Sequence, residues 1–208
     1  IIAITYSPIE DYLSSNIPFV SIDRTYEDKA IACVSSDNQK GAELAAQVLI
    51  SKGGTHFGFI GGHNKTINKT KKRRLFFEKT ILEAGFPCEV LDLEEPYDNF
   101  LEEVEVFLRQ HPEIDALFTI NDFTAIDAIS ILEKLGKKVP EDVQVVGYDG
   151  IRQAEERTQY LSTIRQPIEE MSTEAVQCLL DILDKKDRPL QITLPISYLE
   201  GKTTKNLK

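Results

Sequence analysis

Two polar pairs, Asn121-Asp122 and Tyr148-Asp149, close the apolar runs IDALFTI and VQVVGY, and their side chains suit ligand recognition. A carboxylate accepts two hydrogen bonds from a vicinal diol, and a side-chain amide both donates and accepts. The elements that must position them lie in one stretch, from Ile114 to Gly150. IDALFTI is short and rich in β-branched and aromatic residues, as expected of a strand buried on both faces of a parallel sheet. A helix should follow, with Asp122 as its N-cap, apolar positions at Phe123, Ile126, Ile129, Leu132 and Leu135, and a stop at Gly136. VQVVGY is the next strand. The carboxyl ends of such strands open into ligand crevices, which places Asn121, Asp122, Tyr148 and Asp149 along one rim.

Other chemistries find no support in the spacing. No G-x-G or G-x-S-x-G occurs, and GGHNKT lacks the glycine that should precede the lysine of a phosphate loop. His56, His63 and His111 have neither each other nor a cysteine at ligand spacing, so no metal site or cofactor is expected. Glu102-Glu103 and Glu169-Glu170 lie on charged helix faces and read as solvated. The expectation is a binding protein and not an enzyme.

With 208 residues, 41% hydrophobic and 28% charged, the chain has the composition of a globular protein with a sizeable core. Its net charge of −10 repels a polyanion, so a broad phosphate-binding face is excluded. The local exception is the basic run Lys69, Lys71, Lys72, Arg73, Arg74. Cys33, Cys88 and Cys178 are odd in number and widely spaced, which predicts reduced thiols in a cytoplasmic protein. No apolar run reaches the ~20 residues that span a bilayer. IIAIT reads as a strand already under way, so a fragment is expected.

Along the chain, strands and helices alternate, which argues for parallel sheets covered by helices on both faces. FVSID and Cys33-Val34 are strands, Ser36-Asp37-Asn38 is a capping cluster, and GAELAAQVLISKG is a helix ending at Gly53-Gly54. HFGFIGG precedes a helix from about Lys71 to Ala84; CEVLDL precedes NFLEEVEVFLRQ. After a charged stretch from Ile151 to Tyr160, LSTI leads to a helix opened by Pro167, and ITLPISYL is one late strand interrupted by Pro195. The tail KTTKNLK shows no core-forming pattern.

Taken together, IPFVSIDR, VSSDNQKGAELAAQVLISKG, HFGFIGG followed by an arginine, DALFTINDFTA, KKVPEDVQVVGYDGI, LSTIRQPIEEMSTEAVQCLL and ITLPISYLEGKTT resemble the effector-binding core of the LacI/GalR (lactose-repressor) family of bacterial transcription regulators. The resemblance covers nearly the whole chain, in order and spacing. It implies an α/β, periplasmic-binding-protein-like fold: two parallel-sheet subdomains joined by three crossovers, with a ligand cleft between them. The crossings should fall near Gly54, Ile164 to Gln166, and Pro189. The N-terminal subdomain, incomplete here, would hold residues 1–53 plus 166–188, and the C-terminal one 54–165 plus 189–208. The family's N-terminal helix-turn-helix headpiece and hinge helix are absent from this sequence, so operator DNA would be contacted only through that missing part.

By the same resemblance, Asp149 would bond ligand hydroxyls, Asn121 would donate to and accept from a polyol, and Arg73 would bond ligand oxygens while pairing with Asp149. Asp37 would face the cleft from the other lobe, Phe123 and Phe118 would stack on a sugar or base, and the loop His63 to Asn68 would line the ligand. Each has a competing account. Asp149 suits a turn before Gly150, Asn121 a strand-end cap, and Asp37 a helix N-cap; Phe118 and Tyr148 suit a core, and Arg73 has three basic neighbours. The function implied is a sensor for a small polar metabolite, most simply a sugar, in a homodimeric regulator without membrane association. The alternatives are a periplasmic-type sugar-binding protein feeding a transporter, which a signal peptide upstream would favour, and a doubly wound enzyme, which lacks its cofactor motif.

Overall fold

Strands rich in β-branched and aromatic residues become central in parallel sheets because both of their faces are covered by helices. The computed structural model describes residues 2–3, 17–23, 31–63, 68–94, 99–151 and 160–206. Its contacts divide the chain into two compact units: Ile1–Asp37, Ile67–Lys69 and Pro167–Ile196 form one, and Asn38–Thr66, Thr70–Gln166 and Ser197–Lys208 the other.

In the first unit, β1 (Ile2–Ala3), β2 (Val20–Ile22), β3 (Ala32–Ser36) and β9 (Gln191–Leu194) form a parallel sheet in the order β1-β2-β3-β9. Helix α5 (Ile168–Leu183) packs on it through Met171, Ala175 and Cys178, which meet Val20, Ala32 and Val34. Lys185, just past the end of α5, takes the left-handed conformation at φ 57°.

In the second unit, the order is β10-β8-β7-β6-β4-β5, with β4 (Phe57–His63), β5 (Cys88–Glu94), β6 (Ala116–Thr119), β7 (Gln144–Asp149) and β8 (Ser162–Arg165) parallel. Only β10 (Ser197–Leu199) runs antiparallel, against β8. Helices α1 (Asn38–Ser51), α2 (Asn68–Glu83), α3 (Phe100–Gln110) and α4 (Asp122–Lys134) connect these strands. The core joins Ile60, Leu117 and Val145 of the sheet to Val104 and Phe107 of α3 and to Ala125, Ala128 and Leu132 of α4. Gly53 (φ 85°) ends α1: its N–H donates to Ile50 O and that of Gly54 to Leu49 O. This is the hydrogen-bond pair of a Schellman stop, which glycine satisfies without Cβ strain.

The expected boundaries shift in two places. Residues 38–53 belong to the second unit, because the buried small face of α1 (Gly41, Ala42, Ala45, Ala46) packs against β6, β7, β8 and β10. ITLPISYL is two strands: at Pro195-Ile196 the chain leaves β9 in the first unit and enters β10 in the second, so 189–196 are not part of the second unit. The chain thus passes between units at 37/38, 166/167 and 196/197, and residues 67–69 group with the first unit. Helix α2 begins at Asn68, ahead of the expected Lys71.

The tail also departs from expectation. Thr203 and Thr204 are buried, and Thr203 bridges two strands: its N–H-accepting carbonyl serves Val145, its hydroxyl donates to Val145 O at 2.7 Å, and it accepts Ser162 N–H at 2.9 Å. Gln144 Oε1 accepts Lys205 N–H, and Lys52 Nζ donates to Lys205 O and Glu200 at 2.7 Å. Polar residues therefore complete this edge by hydrogen bonding, which hydrophobic periodicity cannot register.

Candidate functional site

In the second sheet β5 lies on one side of β4 and β6 on the other, so chain order reverses between β4 and β6. Open α/β sheets bind ligands outside the carboxyl ends of the strands at such a switch point. Arg73 reaches this position from α2, the helix after β4; it shares a buried face with Phe77 and Ile81, four and eight residues on. A guanidinium only 4% exposed must have its donors met, because an unpaired buried charge is costly. Its Nε donates to Asn38 Oδ1 at 2.7 Å, and its Nη1 donates to Ile120 O at 2.7 Å and approaches Asp149 Oδ1 at 3.5 Å. Its Cζ lies 3.6 Å from the centroid of the Tyr148 ring, a cation–π contact in a desolvated setting.

Tyr148 is fully buried, and Gly41 of α1 makes room for it: a Cβ there would come within 2.7 Å of the ring's Cε2 and Oη. Asp149 follows with φ 113°, which a residue with a side chain adopts at a cost of ~1–3 kcal/mol. Gln166 holds it from β8's exit: Gln166 Nε2 donates to Asp149 Oδ1 at 2.7 Å, and Gln166 N–H donates to Asp149 O at 3.1 Å. Arg73 and Gln166 thus converge on one carboxylate that keeps 20% of its surface exposed. A partly exposed acceptor set against a fixed cation suits recognition of neutral hydroxyl-bearing ligands.

Asp122 is buried at the start of α4. Its Oδ1 accepts the Thr163 hydroxyl at 2.5 Å and its Oδ2 accepts Ile151 N–H at 2.8 Å. Burial pushes its carboxyl up to about 6, with the charge of Asp149 adding to the rise, against hydrogen bonds from Thr163, Ile151 and Gly150 that favour the anion.

The structure brings Arg73 and Asp149 together, as expected. Asn121, not Asp122, is the N-cap of α4: its extended backbone precedes the helix and its Oδ1 accepts Thr124 N–H at 2.8 Å. Capping engages the carbonyl of that amide and not its NH₂ group. Phe118 corrects the expectation of a stacking residue: it is fully buried within an aromatic cluster, 4.9 Å from Phe77 and 5.7 Å from Phe59 between ring centroids. Phe123 is exposed on the first turn of α4. Asp37 lies in the first unit, half-buried, its N–H donating to Leu194 O. Residues 64–67 of the expected ligand loop, and 152–159 after the turn, lie outside the described residues. Asn38 and Gln166 join Arg73 and Asp149 beyond the residues expected from sequence. Asn38 reads in sequence as one of a capping cluster, whereas Gln166, a polar residue between a strand and a helix-opening proline, carries a usable signal. Among the described residues no group of His, Cys, Asp and Glu could hold a metal, and no helix is long and apolar enough to cross a membrane.

Comparison with known proteins adds the following. The periplasmic binding protein-like domain model matches residues 46–204. The sucrose operon repressor of Streptococcus mutans is 31% identical over 196 residues, covering 94% of this chain and 60% of that protein. The ribose operon repressor of Bacillus subtilis is 32% identical over 218 residues, covering 99% and 63% respectively. This chain thus spans less than two thirds of the length of these relatives. Among solved structures, the transcriptional regulator CelR bound to cellobiose superposes with a TM-score of 0.78 at 27% identity, over 89% of this chain and 58% of that one. A periplasmic binding protein/LacI transcriptional regulator from Alkaliphilus metalliredigens bound to D-xylulofuranose has the same fold, with a TM-score of 0.81 at 24% identity over 95% of this chain and 74% of that one.

Proposed function

The chain belongs to the periplasmic binding protein-like domain family, as an effector-binding core of LacI/GalR type, and on that premise we propose that it senses a small neutral sugar on behalf of a transcription regulator. The observation that carries this reading is the meeting of Arg73 and Gln166 on the Asp149 carboxylate at the switch point of the second sheet. A carboxylate fixed in this way accepts hydrogen bonds from adjacent hydroxyls. Asn121 contributes its amide NH₂ group and Phe123 an apolar face. Curated relatives are sucrose and ribose operon repressors, which supports a regulator over a transporter component and gives no sign of catalysis.

In this reading the regulator is a cytoplasmic homodimer that meets operator DNA through a helix-turn-helix segment outside these residues. Effector binding shifts the DNA-binding equilibrium only by its differential affinity for the two states. The test is a thermal-melting series with ribose, sucrose, cellobiose and lactose, run beside Asp149→Asn. A sugar at 100 times its Kd adds ~2.7 kcal/mol. For a chain of this size that is a rise of roughly 5–10 °C, and it should disappear in the variant. A sugar-induced rise that survives in Asp149→Asn refutes the assigned site, and no rise with any of these sugars refutes the assigned ligand class.

A further inference from the structure

The turn that carries Asp149 needs an explanation, since Asp149 (φ 113°) and Gly150 (φ 74°) occupy successive left-handed conformations. A residue with a side chain persists in that region only where its surroundings over-determine it. From the β8 side the constraint is Gln166, bonded to both the backbone carbonyl and the carboxylate of Asp149. On the other side the turn that follows Asp149 is tied to a single group. The Asp122 carboxylate accepts Ile151 N–H at 2.8 Å through one oxygen, while its other oxygen is held by Thr163 at 2.5 Å.

The same carboxylate lies directly over β7 at Gly147, where an added Cβ would collide with Asp122 Oδ1 and come 2.9 Å from Leu161. Gly147 is therefore the residue that lets the Asp122 side chain pass across the strand. Nothing in capping requires this route, because Asn121 already caps α4. A buried carboxylate that reaches from α4 past β7 to the Thr163 hydroxyl of β8, and accepts the backbone N–H of Ile151 just after β7, does the work of a clamp.

We propose that Asp122 is the positioning residue of this site: its buried carboxylate, by accepting the Ile151 N–H while held by the Thr163 hydroxyl, fixes the left-handed turn that presents the Asp149 carboxylate to a ligand. The clamp stands on the hydrogen bonds alone, whereas its consequence for affinity rests on the reading of Asp149 as an effector ligand. Asparagine preserves the clamp in outline: its carbonyl accepts the Ile151 amide and its NH₂ group donates to Thr163 Oγ1. Alanine removes it.

The experiment compares Asp122→Asn and Asp122→Ala with the parent protein by site-resolved amide hydrogen exchange, with ribose and sucrose affinities measured alongside. Exchange at Ile151 should rise at least ~10-fold in Asp122→Ala, with amides of the core strands at Leu117 and Val145 unchanged, and should return to within ~3-fold of the parent in Asp122→Asn. Equal exchange at Ile151 in the parent and Asp122→Ala overturns the proposal, as does a uniform rise across the unit, which marks a merely structural role. Asp122→Asn settles the matter if the alanine variant fails to fold: an Ile151 amide more than ~10-fold faster than the parent with a quiet core would mean that the carboxylate itself, and not an acceptor at that place, is required. For whichever sugar binds, Kd should rise at least ~10-fold in Asp122→Ala and stay near the parent value in Asp122→Asn. Unchanged affinity in Asp149→Asn would remove the ligand role of Asp149 while leaving the exchange result to decide the clamp.

Discussion

Replacing Arg73 by methionine should destabilise the second unit by about 3–5 kcal/mol, the range for removing one partner of a buried, hydrogen-bonded charge pair. The side chain is 4% exposed and gives two hydrogen bonds at 2.7 Å, to Asn38 Oδ1 and to Ile120 O. Loss of a charge-assisted hydrogen bond to each of these buried acceptors costs ~1–3 kcal/mol, and the cation–π contact with Tyr148 contributes ~0.5–2 more. The guanidinium's own desolvation, relieved in the variant, offsets part of this sum. Methionine fills the volume of the aliphatic stem, so little of the loss comes from a cavity. At roughly 2–4 °C per kcal/mol for a chain of this length, melting should fall by about 10 °C, read by far-ultraviolet circular dichroism and confirmed by urea denaturation. Lysine should recover only part of the loss, since an ammonium cannot serve both acceptors in the geometry of the fork. Adding Asn38→Ala to Arg73→Met should cost at least ~1 kcal/mol less than Asn38→Ala alone, because the pair is already broken. A loss below about 1 kcal/mol for Arg73→Met, or strict additivity with Asn38→Ala, would refute the view that these bonds hold the site together.

Asp122 makes stability fall as pH rises: its folded value of about 6 lies above the ordinary 3.8, so the folded state binds the extra proton between those values. The penalty is absent below about pH 4, complete above about pH 6, and worth ~3 kcal/mol. Asp122→Asn should therefore gain that much relative to the parent on going from pH 4 to pH 7, as measured by urea denaturation. Lys185→Gly should stabilise by ~0.5–1 kcal/mol, because it relieves a side chain from φ 57° at the end of α5, and the gain should appear as a higher urea midpoint at unchanged slope. Thr203→Val keeps the shape but strips the hydroxyl that joins Val145 O to Ser162 N–H, and should cost about 3 kcal/mol in the same assay.

The sequence was most legible where periodicity and stop signals agree. The strands around Phe59, Phe118 and Val145 and the glycine stop at Gly53 are set by local pattern, and a parallel α/β architecture follows from their alternation. Arg73 and Asp149 could be named from their motifs. Their use of Asn38, Tyr148 and Gln166 could not, because contacts between residues far apart in the chain leave no local period. Phe118 shows a different limit: an aromatic near a strand end serves a core or a ligand equally well until its neighbours are known, and here they are Phe59, Phe77 and Tyr148. Asn121 and Asp122 exchanged roles because either side chain caps a helix, and only backbone geometry decides which one does.

The return of the chain at Ser197 has a consequence for the order of synthesis. Residues 38–166 are made before residues 197–206, and until those follow their sheet lacks its antiparallel edge and the Thr203 bridge. Between these come α5, which packs on the other sheet, and β9, which pairs there with β3. A growing chain therefore cannot complete the second unit before α5 and β9 have been synthesised, and pairing across such sequence distances is slow. During translation the unpaired edge of β8 is the surface that a nascent-chain chaperone would meet.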